Sequence, residues 1–531
     1  MICVTANALW LAGCLPEFMR FRRATARVRE EQETLLADLL RRNAGTEFGR
    51  LHKFGSIRSV ADYQSAVPLS RYEDLEPWIA RAANGDSHLL TADRIRLFEP
   101  TSGSSGATKL IPTTPTVQRE FQRGIRAWVA DLFLTHPALM LGQAYWSVSP
   151  QLEARRHTPS GIPIGFDDDA AYVGGWQRRL VDAARVRPVA RAPGRDLSEF
   201  QYQTLLALVR ASNLRLISVW HPTYLSAIVD RFDEWAERLK HDAASDSAAV
   251  AKVRAACAAA TPHERCALLF PQLRVISCWM DGNAAAAAAT LGKRFRHVTF
   301  QAKGLIATEA FISFPLTRDR GCALAVRSHV FEFLPLADDK AKTKPRLAHE
   351  LECGRRYEVI VTTSSGLYRY RLGDVIDVVD HLRDCPLIRF IGRRAYVSDW
   401  VGEKLNESHV SEALKTSFGQ FAMTPSFAML ACDTTLSRPA YVLYVDSTDS
   451  DEQLERFTTA LDESLQQNVH YAYARRLGQL GPLRVFRAER ADETYLAAAV
   501  CAGQRAGDVK LLALDRRDGW SRVFRGRFIN G

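Results

Sequence analysis

The sequence predicts an α/β protein, with a large N-terminal domain of layered sheets and helices and a smaller α+β C-terminal domain. Short apolar runs rich in β-branched or aromatic residues alternate with stretches of helical periodicity over most of the chain. After about residue 393 the pattern changes to a smaller unit, and 531 residues are enough for more than one domain. We therefore expect a large domain at residues 1–393 and a small domain at residues 394–531.

The elements are predicted in chain order from the apolar spacing. An amphipathic helix is expected over residues 24–42, with Gly45 placed to end it. Strands are expected at 144–148, 214–220, 273–279, 297–301, 356–363, 440–445 and 483–487. The alanine-rich stretch 241–266 is expected to form a helical surface insertion, and an amphipathic helix is expected at 451–467.

Charge and cysteine usage exclude several classes of protein. The 70 Lys and Arg against 60 Asp and Glu give a net charge of +10, but the excess is spread thinly and no nucleic-acid motif accompanies it, so we expect no nucleic-acid partner. The 10 cysteines show no C-x-x-C spacing, which argues against a zinc site or a disulfide framework and favours the cytoplasm.

The apolar start of the chain, residues 1–16, lacks the basic region that precedes the apolar run of a signal peptide. We expect a packed N-terminal helix there instead. No run approaches the ~18 apolar residues of a membrane-spanning helix, so no membrane partner is expected.

The most informative stretch is a serine- and glycine-rich loop between apolar segments. Its glycines permit positive φ and close approach of the backbone, its hydroxyls donate hydrogen bonds, and its lysine supplies a mobile charge. These features predict a phosphate clamp made of Ser102, Gly103, Ser104, Ser105, Gly106 and Lys109. The spacing does not fit the Walker pattern, because Lys109 stands three residues after Gly106. The alternative is a flexible surface turn, against which the apolar flanks argue.

A second candidate lies where the strand-like run 275–279 is followed by Asp281, Gly282 and Asn283 and then by an alanine-rich helix. A strand that ends in a glycine turn and opens a helix commonly receives a nucleotide in α/β folds. We expect Gly282 to lie against the adenine or ribose. A plain turn, with Asp281 or Asn283 as the N-cap, is the alternative.

Four blocks in order give the chain a resemblance to a known family. Residues 101–109 (TSGSSGATK) are followed by 304–309 (GLIATE), by 366–374 (GLYRYRLGD), and by 392–393 (GR) with 402–407 (GEKLNE). The blocks resemble the motifs of the auxin-responsive acyl acid amido synthetase family, in its bacterial form, which belongs to the acyl-adenylate-forming, firefly luciferase-like superfamily. The second block departs from the Tyr-Ala-Ser-Ser-Glu type of the plant members, since Leu305 and Ile306 precede Ala307.

The resemblance implies roles for residues of the second and third blocks. Glu309 is expected to be the Mg²⁺ carboxylate, and Thr308 to bond the α-phosphate. Asp374 follows Gly373 and is expected to accept both ribose hydroxyls, the alternative being a turn or cap aspartate. Tyr368 is expected to be a core or pocket-wall aromatic.

The resemblance also implies roles at the hinge and in the small domain. Arg393 resembles the hinge-proximal arginine that approaches phosphate, and Lys510 resembles the C-terminal lysine that enters the site for adenylation. A solvated surface lysine is the competing interpretation of Lys510. His221 and His329 are expected to be packed histidines and not bases.

The resemblance implies a ligase that uses ATP and Mg²⁺ to activate a small carboxylic acid as an acyl adenylate and then joins it to an amino acid through an amide bond. One alternative keeps the adenylate but passes the acyl group to coenzyme A or a carrier protein. Another is a non-catalytic acyl- or nucleotide-binding protein. If Lys510 takes part, the small domain must swing between the two half-reactions.

Overall fold

The computed structural model describes residues 2–101, 109–147, 156–165, 175–188, 197–282, 284–317, 319–336, 344–393, 397–398, 400–502, 504 and 509–529. The chain forms two compact units, each assembled from separate segments. The first comprises Met1–Gly142, Glu153–Arg185 and Lys303–Phe390, and the second Gln143–Leu152, Val186–Ala302 and Ile391–Gly531.

The helices are α1 (Ile2–Ala24), α2 (Val28–Asn43), α3 (Glu47–Leu51), α4 (Val60–Ala66), α5 (Tyr72–Ala83), α6 (Pro115–Thr135), α7 (Gly175–Ala184), α8 (Leu197–Arg210), α9 (Pro222–Asp230), α10 (Phe232–Asp242), α11 (Ser247–Cys257), α12 (Pro262–Leu269), α13 (Ala284–Arg294), α14 (Glu407–Gln420), α15 (Asp451–Leu465), α16 (Val469–Arg476) and α17 (Ala491–Cys501).

The strands are β1 (Leu97–Thr101), β2 (Lys109–Thr113), β3 (Gln143–Trp146), β4 (Arg156–His157), β5 (Pro163–Ile164), β6 (Leu214–Ser218), β7 (Val275–Cys278), β8 (Thr299–Ala302), β9 (Ser313–Pro315), β10 (Cys322–Leu324), β11 (Val330–Pro335), β12 (Arg346–Leu347), β13 (Arg356–Thr362), β14 (Tyr370–Leu382), β15 (Cys385–Arg393), β16 (Val397–Ser398), β17 (Leu405–Asn406), β18 (Phe427–Asp433), β19 (Ala440–Asp446), β20 (Arg484–Glu489), β21 (Leu514–Asp515) and β22 (Arg525–Phe528).

The first unit contains a seven-stranded sheet in the order β12-β11-β13-β14-β15-β10-β9 and a four-stranded sheet in the order β2-β1-β5-β4. In the smaller sheet β1 and β2 are antiparallel, and Thr101 pairs with Lys109 across the ends of the two strands. Helix α6 follows β2 directly, because Thr114 caps it by accepting the N–H of Val117. The strand that leaves the predicted clamp therefore leads straight into a helix.

Helix α1 packs one face onto the first unit. Its buried residues recur at helical spacing, and Trp10 meets Phe133 of α6 edge to face at 5.7 Å. The predicted packed N-terminal helix is thus present. The expectation that no segment reaches membrane-spanning size is wrong for α1, however. By length and composition it could cross a membrane, since the few polar residues in it leave a mean hydropathy of 1.4 over 18 residues.

The second unit contains a fully parallel sheet in the order β3-β6-β7-β8 and a mixed five-stranded sheet in the order β21-β18-β19-β20-β22. Strands β6 and β7 are almost wholly buried, which explains why they read as continuous apolar runs. The predicted strands at 440–445 and 483–487 correspond to β19 and β20.

The predicted surface insertion at 241–266 is wrong in part. It forms α11 and α12, whose Val253, Ala256, Cys266 and Leu269 belong to the apolar core around the parallel sheet. Alanine content alone did not reveal that one face of each helix is buried, because alanine suits buried and exposed helical positions equally.

One buried ion pair fixes the loop that enters β14. Arg369 donates to both carboxylate oxygens of Glu332 on β11, at 3.0 and 2.9 Å. It also donates to the carbonyl oxygens of Gln64, in the last turn of α4, and of Val67, which follows the helix. Its φ of 45° lies in the left-handed region, which a non-glycine residue adopts only where surrounding contacts hold it. Arg369 therefore ties α4, β11 and β14 together.

Replacing this arginine should leave the buried carboxylate of Glu332 without its cationic partner. We expect Arg369→Met to lower the free energy of unfolding by about 3–5 kcal/mol. Urea denaturation followed by circular dichroism measures the loss. The matched control is Arg356→Met, which breaks the exposed Arg356–Asp377 pair of the same sheet and should cost less than about 1 kcal/mol. Equal losses in the two variants would contradict the structural role of Arg369.

Candidate functional site

Thr308 and Glu309 occupy the tip of a tight hairpin that leads into β9. The Ala307 N–H donates to the Ala310 carbonyl oxygen at 3.0 Å, and Ile306 and Phe311 form an antiparallel bridge behind the tip. At the base of the hairpin, a Cβ added to Gly304 would lie 1.9 Å from the carbonyl oxygen of Ser313. Only glycine permits the two strands of this hairpin to approach so closely.

The hairpin tip lines a cavity of the first unit. Thr308 and the buried Glu309 share it with Ser365, which belongs to the loop before β14. The remaining walls come from β2 and α6, namely Ile111, Pro112, Thr113, Val117, Gln118 and Phe121. Thus the second sequence block and the loop of the third block meet at one cavity, together with the strand that follows the predicted clamp.

Asp374 lies on a β-bulge. The pairing of β13 with β14 shifts between Glu358 and Ile360, so extra residues of β14 bulge out around Gly373 and Asp374. Gly373 has a φ of 78°, and Asp374 is only 1% exposed. Bulges of this kind commonly re-aim a side chain beside an active site. Asp374 is thus a buried carboxylate on a strand bulge.

Lys109 is the first residue of β2, and its ammonium contacts two residues of α5. Its Nζ lies 3.3 Å from a carboxylate oxygen of Glu73 and 5.1 Å from the centre of the Tyr72 ring. Glu73 is 63% exposed, so this ion pair is weak and an incoming phosphate can compete for the lysine. The other predicted clamp residues, Ser102, Gly103, Ser104, Ser105 and Gly106, lie outside the described residues.

In the second unit, Gly282 and Lys510 come near the same aromatic residue. Gly282 has a φ of 57° in the turn between β7 and α13, three residues after Trp279. The Lys510 Nζ lies 4.8 Å from the centre of the Trp279 ring, a cation–π contact. The hydroxyl of Tyr495 donates to the Lys510 carbonyl oxygen at 3.2 Å, which anchors the lysine backbone to α17. Although exposed, Lys510 is thus held at the carboxyl end of a parallel strand.

His221 lies beside this lysine at the N-terminus of α9. Its Nδ1 accepts hydrogen bonds from the hydroxyl and the N–H of Thr223, so the proton of the neutral ring is on Nε2. Burial, and secondarily the charge of Lys510, lower the pKa of His221 to about 3. The imidazole is therefore neutral at physiological pH, and it is packed as expected.

Arg393 is the last residue of β15 and is half-buried. Tyr368 is a core residue: it stacks on Phe48 with ring centres 4.7 Å apart, and its hydroxyl donates to the Leu90 carbonyl oxygen. Tyr368 is thus a core aromatic residue, one of the two positions expected for it from the sequence.

The sequence did not reveal the partners of two buried groups behind the hairpin. Glu120 of α6 and His329, just before β11, form a pair at 3.1 Å. A signal was present, because Glu120 shares a helical face with the apolar residues Val117, Phe121 and Gly124. A charged residue on such a face needs a buried partner.

Comparison with known proteins gives consistent results over nearly the whole chain. The GH3 family N-terminal domain matches residues 17–300, the GH3 family central domain residues 322–393, and the GH3 family C-terminal domain residues 408–514. The chain is 25% identical over 516 residues to indole-3-acetic acid-amido synthetase GH3.8 of Oryza sativa subsp. indica, covering 87% of this chain and 84% of that protein.

A second relative is indole-3-acetic acid-amido synthetase GH3.2 of Arabidopsis thaliana, 25% identical over 436 residues, with 74% of this chain and 78% of the relative covered. Among solved structures, the AtGH3.15 acyl acid amido synthetase in complex with 2,4-DB superposes with a TM-score of 0.82 at 19% identity and covers 98% of both chains. The predicted α/β fold class is thereby confirmed.

The pKa of His221 has a consequence for stability in acid. An unfolded histidine has a pKa near 6.5, so between about pH 6.5 and 3 the unfolded chain binds the additional proton. The free energy of unfolding should fall as the pH drops through this window, by about 2 kcal/mol from this group between pH 7 and 5. We expect His221→Asn, which keeps a cap for Thr223, to be less acid-sensitive than the wild type.

Chemical denaturation at pH 7 and pH 5 measures this difference. His241→Asn is the control, because the His241 side chain is 88% exposed and its replacement should leave the acid sensitivity unchanged. If His221→Asn and the wild type lose the same stability on acidification, His221 is not a buried neutral histidine.

Proposed function

Because this chain belongs to the GH3 family, we propose that it is an ATP- and Mg²⁺-dependent ligase that activates a small carboxylic acid as an acyl adenylate and conjugates it to an amino acid through an amide bond. Its expected substrates are the acid, ATP and the amino acid. The 10 cysteines are all free thiols, which supports the cytoplasm as the place of action.

The observation that carries the proposal is the cavity that Thr308 and Glu309 share with residues of β2. This strand begins at Lys109, the end of the predicted phosphate clamp, and continues along the cavity wall through Ile111. A hydroxyl, a buried carboxylate and a lysine on the adjoining strand are the groups that a polyphosphate with its metal requires.

In the first half-reaction a carboxylate oxygen of the acid attacks the α-phosphorus of ATP, and pyrophosphate leaves. We assign Lys109 and residues 102–106 to the β- and γ-phosphates, and Thr308 to an oxygen of the α-phosphate. Asp374 accepts the ribose hydroxyls, for which a buried carboxylate on a bulge is suited. Gly282 is assigned to the adenine or ribose.

The chemistry of the described residues fits Mg²⁺. No group of three or more histidine, cysteine or carboxylate side chains able to hold a metal occurs within the described ranges. Mg²⁺ does not need one, because one or two carboxylates together with substrate phosphates usually hold it. Glu309, buried at the cavity wall, would hold the ion, which when bound neutralises phosphate charge.

We assign two cations to the charge that develops during adenylation. Lys510 stabilises the α-phosphate and the leaving pyrophosphate, and Arg393 approaches the phosphates from the end of β15. In the second half-reaction the amine nitrogen attacks the acyl carbon, AMP leaves, and the amine gives up a proton. Departure of Lys510 from Trp279 between the steps would make room for the amine.

We also propose that residues 1–393 and 394–531 act as separate domains in turnover. The match to the family's central domain ends at residue 393, and the match to its C-terminal domain begins at residue 408, which supports a hinge between them.

The activity is tested by offering a library of organic acids with ATP and Mg²⁺ and measuring exchange of labelled pyrophosphate into ATP. Acids that support exchange are then combined with each amino acid or with coenzyme A, and AMP release is measured. Faster release with an amino acid supports the proposal. Faster release with coenzyme A would assign the chain to the thioester-forming ligases. If no acid supports exchange, the chain is instead a non-catalytic acyl- or nucleotide-binding protein.

Lys510 is expected to act in only one half-reaction. We expect Lys510→Ala to slow pyrophosphate exchange by about a hundredfold, or about 2.7 kcal/mol, because a charge that acts in the transition state is lost. Amide formation from a supplied acyl adenylate should change less than threefold. Lys415→Ala, an exposed lysine on α14, is the control and should affect neither step. Equal loss in both steps would refute the selective role of Lys510.

A further inference from the structure

A hydrogen-bonded pair in the first unit, made by the buried His329 and the mostly buried Glu120, connects four segments around the cavity. The His329 Nδ1 lies 3.1 Å from Oε2 of Glu120, and the His329 side chain is wholly buried. The other ring nitrogen, Nε2, accepts the N–H of Phe311 at 3.1 Å. The same Glu120 oxygen accepts the N–H of Ser364 in a longer bond of 3.4 Å. Glu120 thus reaches one hairpin through His329 and one loop directly.

The donors fix the state of the histidine. A backbone N–H can only donate, so Nε2 must be the unprotonated nitrogen, and the proton of the neutral ring is on Nδ1. Nδ1–H then donates to the Glu120 carboxylate in a charge-assisted bond. A ring protonated on both nitrogens would have no lone pair for Phe311. The chain of bonds therefore places the ring proton on Nδ1 and makes Nε2 and the Glu120 oxygen the acceptors.

Both ends of this chain of bonds lie next to groups of the proposed site. Phe311 follows Glu309 by two residues and forms the bridge behind the hairpin tip. Ser364 precedes Ser365, which lines the cavity with Thr308 and Glu309. Neither Glu120 nor His329 lines that cavity, although their neighbour Phe121 does. The pair consequently acts from behind the wall.

We propose that Glu120 and His329 are positioning residues that set the depth and orientation of the hairpin tip, so that Thr308 and Glu309 meet the nucleotide phosphates and their metal. The inference rests on the proposed function, because it assigns the pair to the metal–phosphate site of that reaction. Neither residue touches the substrate. Loss of the bond from the Phe311 N–H to His329 Nε2 would free the hairpin behind Glu309 and weaken metal binding without altering the proposed metal ligand itself.

Two variants on the same helix separate positioning from general stability. Glu120→Ala removes the acceptor for His329. Asp131→Ala is the matched control, because Asp131 also lies on α6 and accepts the N–H and hydroxyl of Thr317, at 2.8 and 3.0 Å. Both variants remove a carboxylate that holds a neighbouring loop, but only Glu120 holds the hairpin tip. Glu120→Gln is the conservative variant, since its amide oxygen still accepts from Nδ1–H.

The first measurement is amide hydrogen exchange of a peptide covering residues 304–313. We expect at least tenfold faster exchange in Glu120→Ala, and rates within twofold of the wild type in Asp131→Ala and Glu120→Gln. The second is binding of Mn²⁺, as a probe for Mg²⁺, measured by electron paramagnetic resonance with a saturating non-hydrolysable ATP analogue. We expect five- to tenfold weaker Mn²⁺ binding in Glu120→Ala and unchanged binding in the other two variants.

Unchanged exchange and unchanged Mn²⁺ binding in Glu120→Ala would overturn the inference, as would equal effects of Glu120→Ala and Asp131→Ala. If Glu120→Ala does not fold, Glu120→Asp replaces it, because its side chain is one methylene too short for the bond. In that variant we expect hydrogen exchange two- to fivefold faster and Mn²⁺ binding two- to fivefold weaker than in the wild type. These readouts do not need the acid substrate. Failure of the proposed function appears differently, as a wild-type protein that binds no nucleotide–Mn²⁺ or exchanges no pyrophosphate.

Discussion

The buried pair between Arg369 and Glu332 is the constraint on which the site of the first unit depends. A charge this deep in the protein is tolerated only with a complete set of partners, and Arg369 satisfies its donors on one carboxylate and two backbone carbonyls. Those partners come from the end of α4 and from β11, so the loop is held by two separate elements. The left-handed backbone of Arg369 is a local cost that these bonds offset.

Groups of the candidate site lie on both sides of this loop along the chain. Four residues downstream, the backbone enters the bulge that buries Gly373 and Asp374 in the sheet. Upstream, the same loop supplies Ser365 to the cavity, beside the hairpin tip at Glu309. Buried polar bonds, and not apolar packing alone, determine where these groups lie, because hydrogen bonds are directional and apolar contacts are not.

In the second unit, the edge of a parallel sheet, and not a buried ion pair, determines where the candidate residues lie. The central strands of its sheet, β6 and β7, are almost wholly buried. Because all four strands are parallel, their carboxyl ends lie at one edge of the sheet, and Trp279 and Gly282 follow β7 there. A lysine more than 200 residues further along the chain reaches this edge, with its backbone tied to Tyr495. At this edge the Lys510 ammonium lies over the Trp279 ring, and Gly282 follows Trp279 by three residues. A cation–π contact is weak enough to be made and broken during turnover.

The sequence by itself determined the alternation of strands and helices, the strand positions around the parallel sheet, and the ordered blocks on which the family resemblance rests. These are local properties: periodicity, turn chemistry and motif spacing are all written in neighbouring residues. Sequence patterns missed the buried faces of α11 and α12, because alanine suits both buried and exposed helical positions. They also missed the apolar length of α1, because single polar residues interrupt a segment whose mean hydropathy is high.

Only the tertiary structure decided which partners the buried polar groups take. Glu120 meets His329 across 209 positions of the chain, and Arg369 meets Glu332 across 37. The bulge at Asp374 and the contact of Lys510 with Trp279 are likewise products of strand register and packing. A single sequence shows that a buried charge needs a partner, but only the folded chain brings one particular partner within hydrogen-bonding distance.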